Sequence, residues 1–224
     1  KQATVNSIVV VDLEDGKAWW ETRLLVLLSG AQRIGRPDKI VFTATKSEQK
    51  ECFIGWANPN DLLKYLLKEN PKYAQSYYVS KAVSAQWNLA ERPWPNQQQG
   101  LVGPNVFTWL QPEASSKSWM FLDPNTNLPN EMFEEQVMQN ELGREVEALE
   151  GGKYIGMGRV SILFGNVLHT NFIDLNDPSE HQLRNFYADD LPYIALTQNG
   201  RYTAIVSRMA IYNEIMKKLT EKIE

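Results

Sequence analysis

The sequence predicts an α/β protein with two β-α-β-β-α halves, a mixed sheet, flanking helices and an irregular insertion. Short β-branched apolar runs alternate with amphipathic stretches at helical spacing, which is the order expected of an α/β fold. Strand, hairpin, strand and amphipathic helix follow one another at residues 40–67 and again at 193–219. A helix and, before it, a β-branched strand precede each stretch. We therefore predict two equivalent halves of one scaffold.

The first half, residues 1–91, begins with a strand and a long helix. The β-branched run at 7–12 is typical of a strand that is buried on both faces of a sheet. A polar turn interrupts this run. Apolar residues at helical spacing then predict a helix over 17–34, which Pro37 brings to an end.

A hairpin and two capped helices complete the first half. Residues 39–44 and 51–56 predict two strands joined by a charged loop. Asn58 followed by Pro59 predicts a helix start, because asparagine caps a first turn and proline fits the first helical position. The same pair at 70–71 predicts a second helix that continues to about residue 91.

Residues 92–150 form an insertion of different composition. Prolines interrupt regular structure there, while Trp94, Trp109 and Trp119 make the segment too apolar for a solvated linker. We expect ordered loops in which these tryptophans anchor a core or form a partner-binding patch. The insertion ends in an acidic helix over 130–150, either solvated or docked to a basic partner.

The second half, residues 151–224, repeats the pattern of the first. The dipeptide Asn199-Gly200 predicts a tight hairpin turn between two of its strands. The predicted elements are, in order, a strand at 159–167 that extends toward 173, a helix at 178–186, strands at 191–197 and 202–206, and a helix from 207 to the end.

Composition excludes several classes of protein. The 224 residues are 43% hydrophobic and 22% charged, which excludes disordered, collagen-like and coiled-coil chains. A net charge of −4 without a long basic run argues against nucleic acid as a partner. Neither a signal peptide nor an apolar run of membrane length occurs, so no membrane insertion is expected within this segment. The single cysteine, Cys52, favours a buried apolar role and a reducing, cytoplasmic location.

Three stretches of the second half carry a family resemblance: Leu191-Pro192-Tyr193-Ile194-Ala195-Leu196, Asn199-Gly200-Arg201 and Ile205-Val206-Ser207-Arg208. Together they resemble the second half of a cystathionine-β-synthase-type (CBS) domain. Members of that family are regulatory β-α-β-β-α modules that pair in tandem and often bind adenosine nucleotides in the cleft between repeats. The resemblance therefore implies an adenine nucleotide as the ligand.

The family holds the ribose with a Ser or Thr after the last strand and an Asp three residues later. Ser207 matches the first position, but Ala210 stands where the Asp is expected. In the earlier stretch Asp61 matches the Asp and Asn58 replaces the hydroxyl residue. The two stretches lie farther apart than tandem repeats of the family do. By this resemblance the ligand-binding residues are Asn58, Asp61, Ser207 and Arg208.

A non-catalytic function is favoured: a regulatory, ligand-sensing or protein-interaction module of a larger protein. Its polar residues follow cap and turn patterns, and no acid, base and nucleophile converge in the sequence. His169 lies in an apolar run that predicts a hydrogen-bonded structural residue, while His181 lies in a polar helix and is predicted to be exposed. The expected partners are other domains of the same protein or a separate protein.

The alternative is a metal-dependent phosphatase-like or other hydrolase. Asp12 and Asp15 follow the first strand, where α/β sheets place ligand groups and where carboxylates could hold a divalent metal. With Thr43 after the next strand, the arrangement resembles the opening motif of haloacid-dehalogenase-type phosphatases. Capping of the following helix explains the same carboxylates without chemistry.

Overall fold

The computed structural model describes residues 7–31, 37–91, 154–188 and 190–220. Trp94, Trp109, Trp119 and the acidic helix predicted at 130–150 lie outside the described residues. The chain divides into two compact units. The first comprises Lys1–Glu21, Ala31–Tyr65 and Lys153–Glu224, and the second comprises Thr22–Gly30 and Leu66–Gly152. The first unit holds the whole sheet and every site considered below.

The described elements confirm an α/β fold with two β-α-β-β-α halves. The first half is β1-α1-β2-β3-α2 and the second is β4-α5-β5-β6-α6. The described elements are β1 (Ile8–Asp12), α1 (Glu21–Ala31), β2 (Lys39–Lys46), β3 (Gln49–Ala57), α2 (Pro59–Glu69), α3 (Pro71–Glu91), α4 (Met157–Phe164), β4 (Phe172–Asp174), α5 (Glu180–Ala188), β5 (Tyr193–Gln198), β6 (Arg201–Ser207) and α6 (Arg208–Thr220).

The six strands form one mixed sheet in the order β1-β2-β3-β6-β5-β4. The pairs β1–β2 and β4–β5 are parallel, and the other neighbouring strands are antiparallel. The order of the second half therefore mirrors that of the first. The halves join at the central pair β3–β6, where Cys52 lies opposite Arg201.

The strand registers show which residues of the two halves are equivalent. Asp12 lies opposite Thr43 at the end of β1, and Asp174 lies opposite Thr197 at the end of β4. In each hairpin the register shifts at this threonine, so that Phe53 in one half corresponds to Tyr202 in the other. Because both hairpins have this register shift at the same threonine, the residues of the two halves can be paired one by one. Other equivalent pairs are Lys39 and Tyr193, Gly55 and Ala204, Trp56 and Ile205, and Asn58 and Ser207.

Both halves contribute to one apolar core. Its buried members come from β2 and β3 and from β5 and β6; they are Val41, Phe53, Trp56, Ala195 and Ile205. The rings of the equivalent residues Phe53 and Tyr202 stack with centroids 6.3 Å apart. Because aromatic contacts of this kind add to the burial of apolar area, the two halves are held by more than the strand pairing.

The strand predicted at 159–167 is wrong, because most of this segment is the helix α4. Val160, Leu163 and Phe164 are buried, which is helical spacing, whereas Ile162 is 76% exposed. Periodicity separates helix from strand poorly in so short an apolar run. The other predicted strands and helices that fall on described residues are present with shifted bounds. None of the described helices is both long enough and apolar enough to cross a bilayer.

Candidate functional site

A polar and aromatic cluster contains the side chains of Lys39 and Tyr193, the first residues of β2 and β5. The Lys39 Nζ atom lies 5.0 Å from the ring centroid of Tyr193 and 5.4 Å from that of Trp56. These distances allow cation–π attraction to both rings. The same ammonium group donates a hydrogen bond of 2.7 Å to Asn58 Oδ1. Because Tyr193 belongs to the second half, one side chain contacts both halves.

Asn58 connects the ammonium group to a carboxylate. Its Nδ2 atom donates to Asp61 Oδ2 at 3.2 Å, and the Asp61 amide donates to the Asn58 carbonyl at 3.1 Å. Burial lowers the pKa of Lys39, although the carboxylates of Asp38 and Asp61 act in the opposite direction. We refer to Lys39, Trp56, Asn58, Asp61 and Tyr193 as the Lys39 cluster.

His169 packs against Trp56 of this cluster. Its ring centroid lies 4.3 Å from that of Trp56, and the two residues exchange backbone hydrogen bonds of 2.8 and 3.0 Å. A methyl group at Gly55 would come within 2.6 Å of the Leu168 side chain, so glycine lets this segment approach β3. The backbone of His169 is hydrogen-bonded to Trp56, while the structural role of its imidazole stays a prediction. His181 is exposed on α5, as predicted.

Of the four residues implied by the CBS resemblance, three lie in or beside the Lys39 cluster and Arg208 makes separate contacts. Asn58 and Asp61 belong to the Lys39 cluster, and Ser207 lies opposite Tyr193 in the β5–β6 register. Arg208 is 9% exposed and contacts other groups. Its guanidinium group donates to the carbonyl oxygens of Phe186 and Leu191 and to the Tyr212 hydroxyl, and it lies over the Phe186 ring. Arg208 therefore links α5 to α6.

The carboxylates of the hydrolase alternative complete nearby turns. Asp12 Oδ1 accepts hydrogen bonds from the Thr43 hydroxyl at 3.1 Å and from the Glu14 amide at 3.2 Å. Asp15 Oδ1 accepts one from the Lys17 amide at 3.2 Å. Among the described residues, no three His, Cys, Asp or Glu side chains are placed together to hold a metal ion. Both carboxylates thus accept hydrogen bonds from nearby groups of the same chain, which explains their presence at this strand end.

Asp174, which no sequence motif considered above includes, takes in the second half the place that Asp12 has in the first. It accepts hydrogen bonds from the Thr197 hydroxyl at 2.9 Å and the Asn176 amide at 3.0 Å, which repeats the contacts of Asp12. It also accepts from the turn amides of Asn199 at 3.2 Å and Gly200 at 2.7 Å. The signal in the sequence is a short repeat, Asp-Leu-x-Asp, at 12–15 and 174–177.

The hydrogen bonds keep Asp174 ionised in spite of its burial. The residue is only 8% exposed, and burial alone would raise the pKa of its carboxyl group. The amides of Gly200, Asn176 and Asn199 and the Thr197 hydroxyl outweigh this effect and lower the pKa to about 2. The strand end of the second half therefore carries a permanent negative charge at neutral pH.

No family model, curated protein or solved structure matches this chain.

Proposed function

We propose that the chain is a non-catalytic regulatory module that senses a ligand at the Lys39 cluster. The observation that carries this proposal is the position of the Lys39 ammonium group. It is hydrogen-bonded to Asn58 in the first half and lies over the Tyr193 ring of the second. A ligand that exchanges with either contact alters how the halves are joined, which is how ligand binding couples to a change of state.

An adenine nucleotide fits the chemistry of the cluster. The ammonium group offers a charge-assisted hydrogen bond to a phosphate. The side chains of Asn58 and Asp61 offer hydrogen-bond partners for ribose hydroxyls. The Tyr193 ring, which is partly exposed, offers a stacking surface for the base. This ligand is also the one that the CBS resemblance implies.

The paired strand ends favour a regulatory module over the hydrolase. Asp12 and Asp174 make the same two contacts with a threonine hydroxyl and a nearby amide. A structural role explains both carboxylates, whereas catalysis would explain only Asp12. The receivers of the signal would be other domains of the same protein or a protein partner.

Binding of AMP, ADP and ATP, measured by calorimetry and by thermal unfolding, tests the proposal. A nucleotide at 100 times its dissociation constant should stabilise the folded chain by about 2.7 kcal/mol. Lys39→Ala should weaken binding about tenfold, because a charged hydrogen bond to phosphate is lost. Lys50→Ala removes an exposed lysine of β3 outside the cluster and serves as the matched control. Absence of nucleotide binding, or equal weakening by both variants, would refute the proposal.

A further inference from the structure

The turn between β5 and β6 combines an exposed asparagine with a following glycine. Asn199 has a φ of +52° and Gly200 a φ of +78°, as two-residue hairpin turns require. In Asn-Gly sequences the backbone nitrogen of glycine reaches the asparagine side-chain amide easily, because glycine has no side chain in the way. Attack by that nitrogen removes the amide group. The turn therefore has the sequence and the exposure of a deamidation site.

The structure holds both reacting groups. The Gly200 amide donates to Asp174 Oδ2 at 2.7 Å, and the Asn199 amide donates to Asp174 Oδ1 at 3.2 Å. The Asn199 Oδ1 atom accepts a hydrogen bond of 2.9 Å from Asn176 Nδ2. Attack requires that the glycine nitrogen lose its proton, and a carboxylate acceptor stabilises the protonated form. The hydrogen bond from Asn176 also restricts rotation of the Asn199 side chain.

We propose that Asn199 is a site of spontaneous deamidation whose rate is set by the hydrogen bond from Gly200 to Asp174. In the first step the Gly200 nitrogen loses its proton and bonds to Asn199 Cγ, while the Cγ–Nδ2 bond breaks and ammonia leaves. Water then opens the cyclic imide at either carbonyl. The products are aspartate, or isoaspartate with the main chain passing through the side-chain carbon.

The modification acts on the junction between the halves. The Asn199 carbonyl accepts a hydrogen bond of 2.5 Å from Gln49 Nε2, and the Gly200 carbonyl accepts one of 3.0 Å from the Phe53 amide. Isoaspartate lengthens the main chain inside this turn and displaces both carbonyls. Aspartate instead places a second negative charge beside Asp174. Both products weaken the link between the β2–β3 and β5–β6 hairpins.

Timed incubation of the full chain at mildly alkaline pH tests the proposal. Peptide mass mapping and labelling by an isoaspartyl methyltransferase measure conversion at Asn199. The folded chain should react more slowly than the same chain unfolded in urea. Asp174→Ala should raise the folded-state rate about tenfold, because the glycine N–H loses a charged acceptor.

Asp12→Ala is the matched control, since it removes the equivalent carboxylate of the other half, which does not contact this turn. It should leave the rate at Asn199 unchanged. A folded chain that reacts as fast as the unfolded one overturns the proposal. So does a folded Asp174→Ala chain that reacts no faster than Asp12→Ala. If circular dichroism shows that Asp174→Ala does not fold, Asp174→Asn takes its place, because it keeps the shape of the side chain and removes the charge of the acceptor.

Discussion

An aspartate at the end of β1 and one at the end of β4 make equivalent hydrogen bonds, yet the second aspartate also bonds to a hairpin turn. Asp12 and Asp174 each accept hydrogen bonds from a threonine hydroxyl on the neighbouring strand and from an amide two residues later. Only Asp174 also accepts from the amides of a hairpin turn, at Asn199 and Gly200. One motif thus closes a strand end in both halves and organises a hairpin in one.

Hairpin length explains the difference. β2 has 8 residues and β5 has 6, so the first hairpin turns farther from its strand-end carboxylate. Its turn lies at Ser47 and Glu48, whereas Asn199 comes only two residues after Thr197. Ser47 comes four residues after Thr43, and the two additional residues of strand place this turn about 7 Å farther away, beyond the reach of the Asp12 carboxylate. A repeated motif therefore gains contacts only where the neighbouring turn is close.

Replacement of the two carboxylates in turn should give the largest difference between the halves. Asp174→Ala should lower the free energy of unfolding by about 3 kcal/mol, because two turn amides and a buried hydroxyl lose a charged acceptor. Asp12→Ala should lower it by about 1 kcal/mol, since fewer donors lose their acceptor. Urea unfolding followed by circular dichroism measures both. Equal losses would show that the turn contacts add no stability.

A methyl group at Gly55 should have the next largest effect. The equivalent residue Ala204 already carries one, but at Gly55 it would lie 2.6 Å from Leu168 Cγ. We expect Gly55→Ala to lower the free energy of unfolding by about 2 kcal/mol through overpacking. Gly158→Ala is the control, because no atom lies within 4 Å of its added Cβ. This helical change should raise the stability by about 0.5–1 kcal/mol. A neutral Gly55→Ala would mean that Leu168 moves aside freely.

Acid unfolding should give the smallest and most specific difference. The pKa of Asp174 is about 2 in the folded chain, below its ordinary value of 3.8. Its ionisation therefore stabilises the fold above pH 3.8, and this contribution is lost as the pH falls toward 2. Thr197→Val removes a hydrogen bond to the carboxylate, which raises the pKa and moves the loss to higher pH.

Thr43→Val makes the equivalent change in the first half and serves as the control for the acid experiment. The midpoint of acid unfolding, followed by tryptophan fluorescence, should move upward more for Thr197→Val than for Thr43→Val. Identical shifts would indicate that loss of a buried hydroxyl, and not the state of Asp174, governs the acid limit.

Local signals in the sequence were sufficient for the starts of α2 and α3 and for the Asn199-Gly200 turn. α2 and α3 begin at Pro59 and Pro71 as predicted, because capping involves residues next to each other in the chain. Asn70 behaves as a cap, since its Oδ1 atom accepts from the Lys72 amide at 2.9 Å. The Asn58 side chain also bonds to Lys39, a residue far away in the chain, and to Asp61. The helix start is thus local, but the use of the side chain is not.

The candidate site was predictable only where its residues are close in the chain. Asn58 and Asp61 are three residues apart across a helix start, so their contact follows from local geometry. Lys39 and Tyr193 come from different halves, and no pattern in the sequence gives the approach of one to the other. The strand predicted over α4 was wrong for a related reason, since the buried face of this helix depends on residues that are distant in the chain.

The sequence by itself determined the α/β class, the starts of α2 and α3 and the Asn199-Gly200 turn, because each depends on patterns and contacts within a short stretch of chain. The tertiary structure alone decided that Lys39 lies over Tyr193 and that Asp174 reaches Gly200. The first contact requires the pairing of strands that are distant in the chain, and the second requires a short hairpin between β5 and β6. The local pattern of polar and apolar residues specifies neither feature.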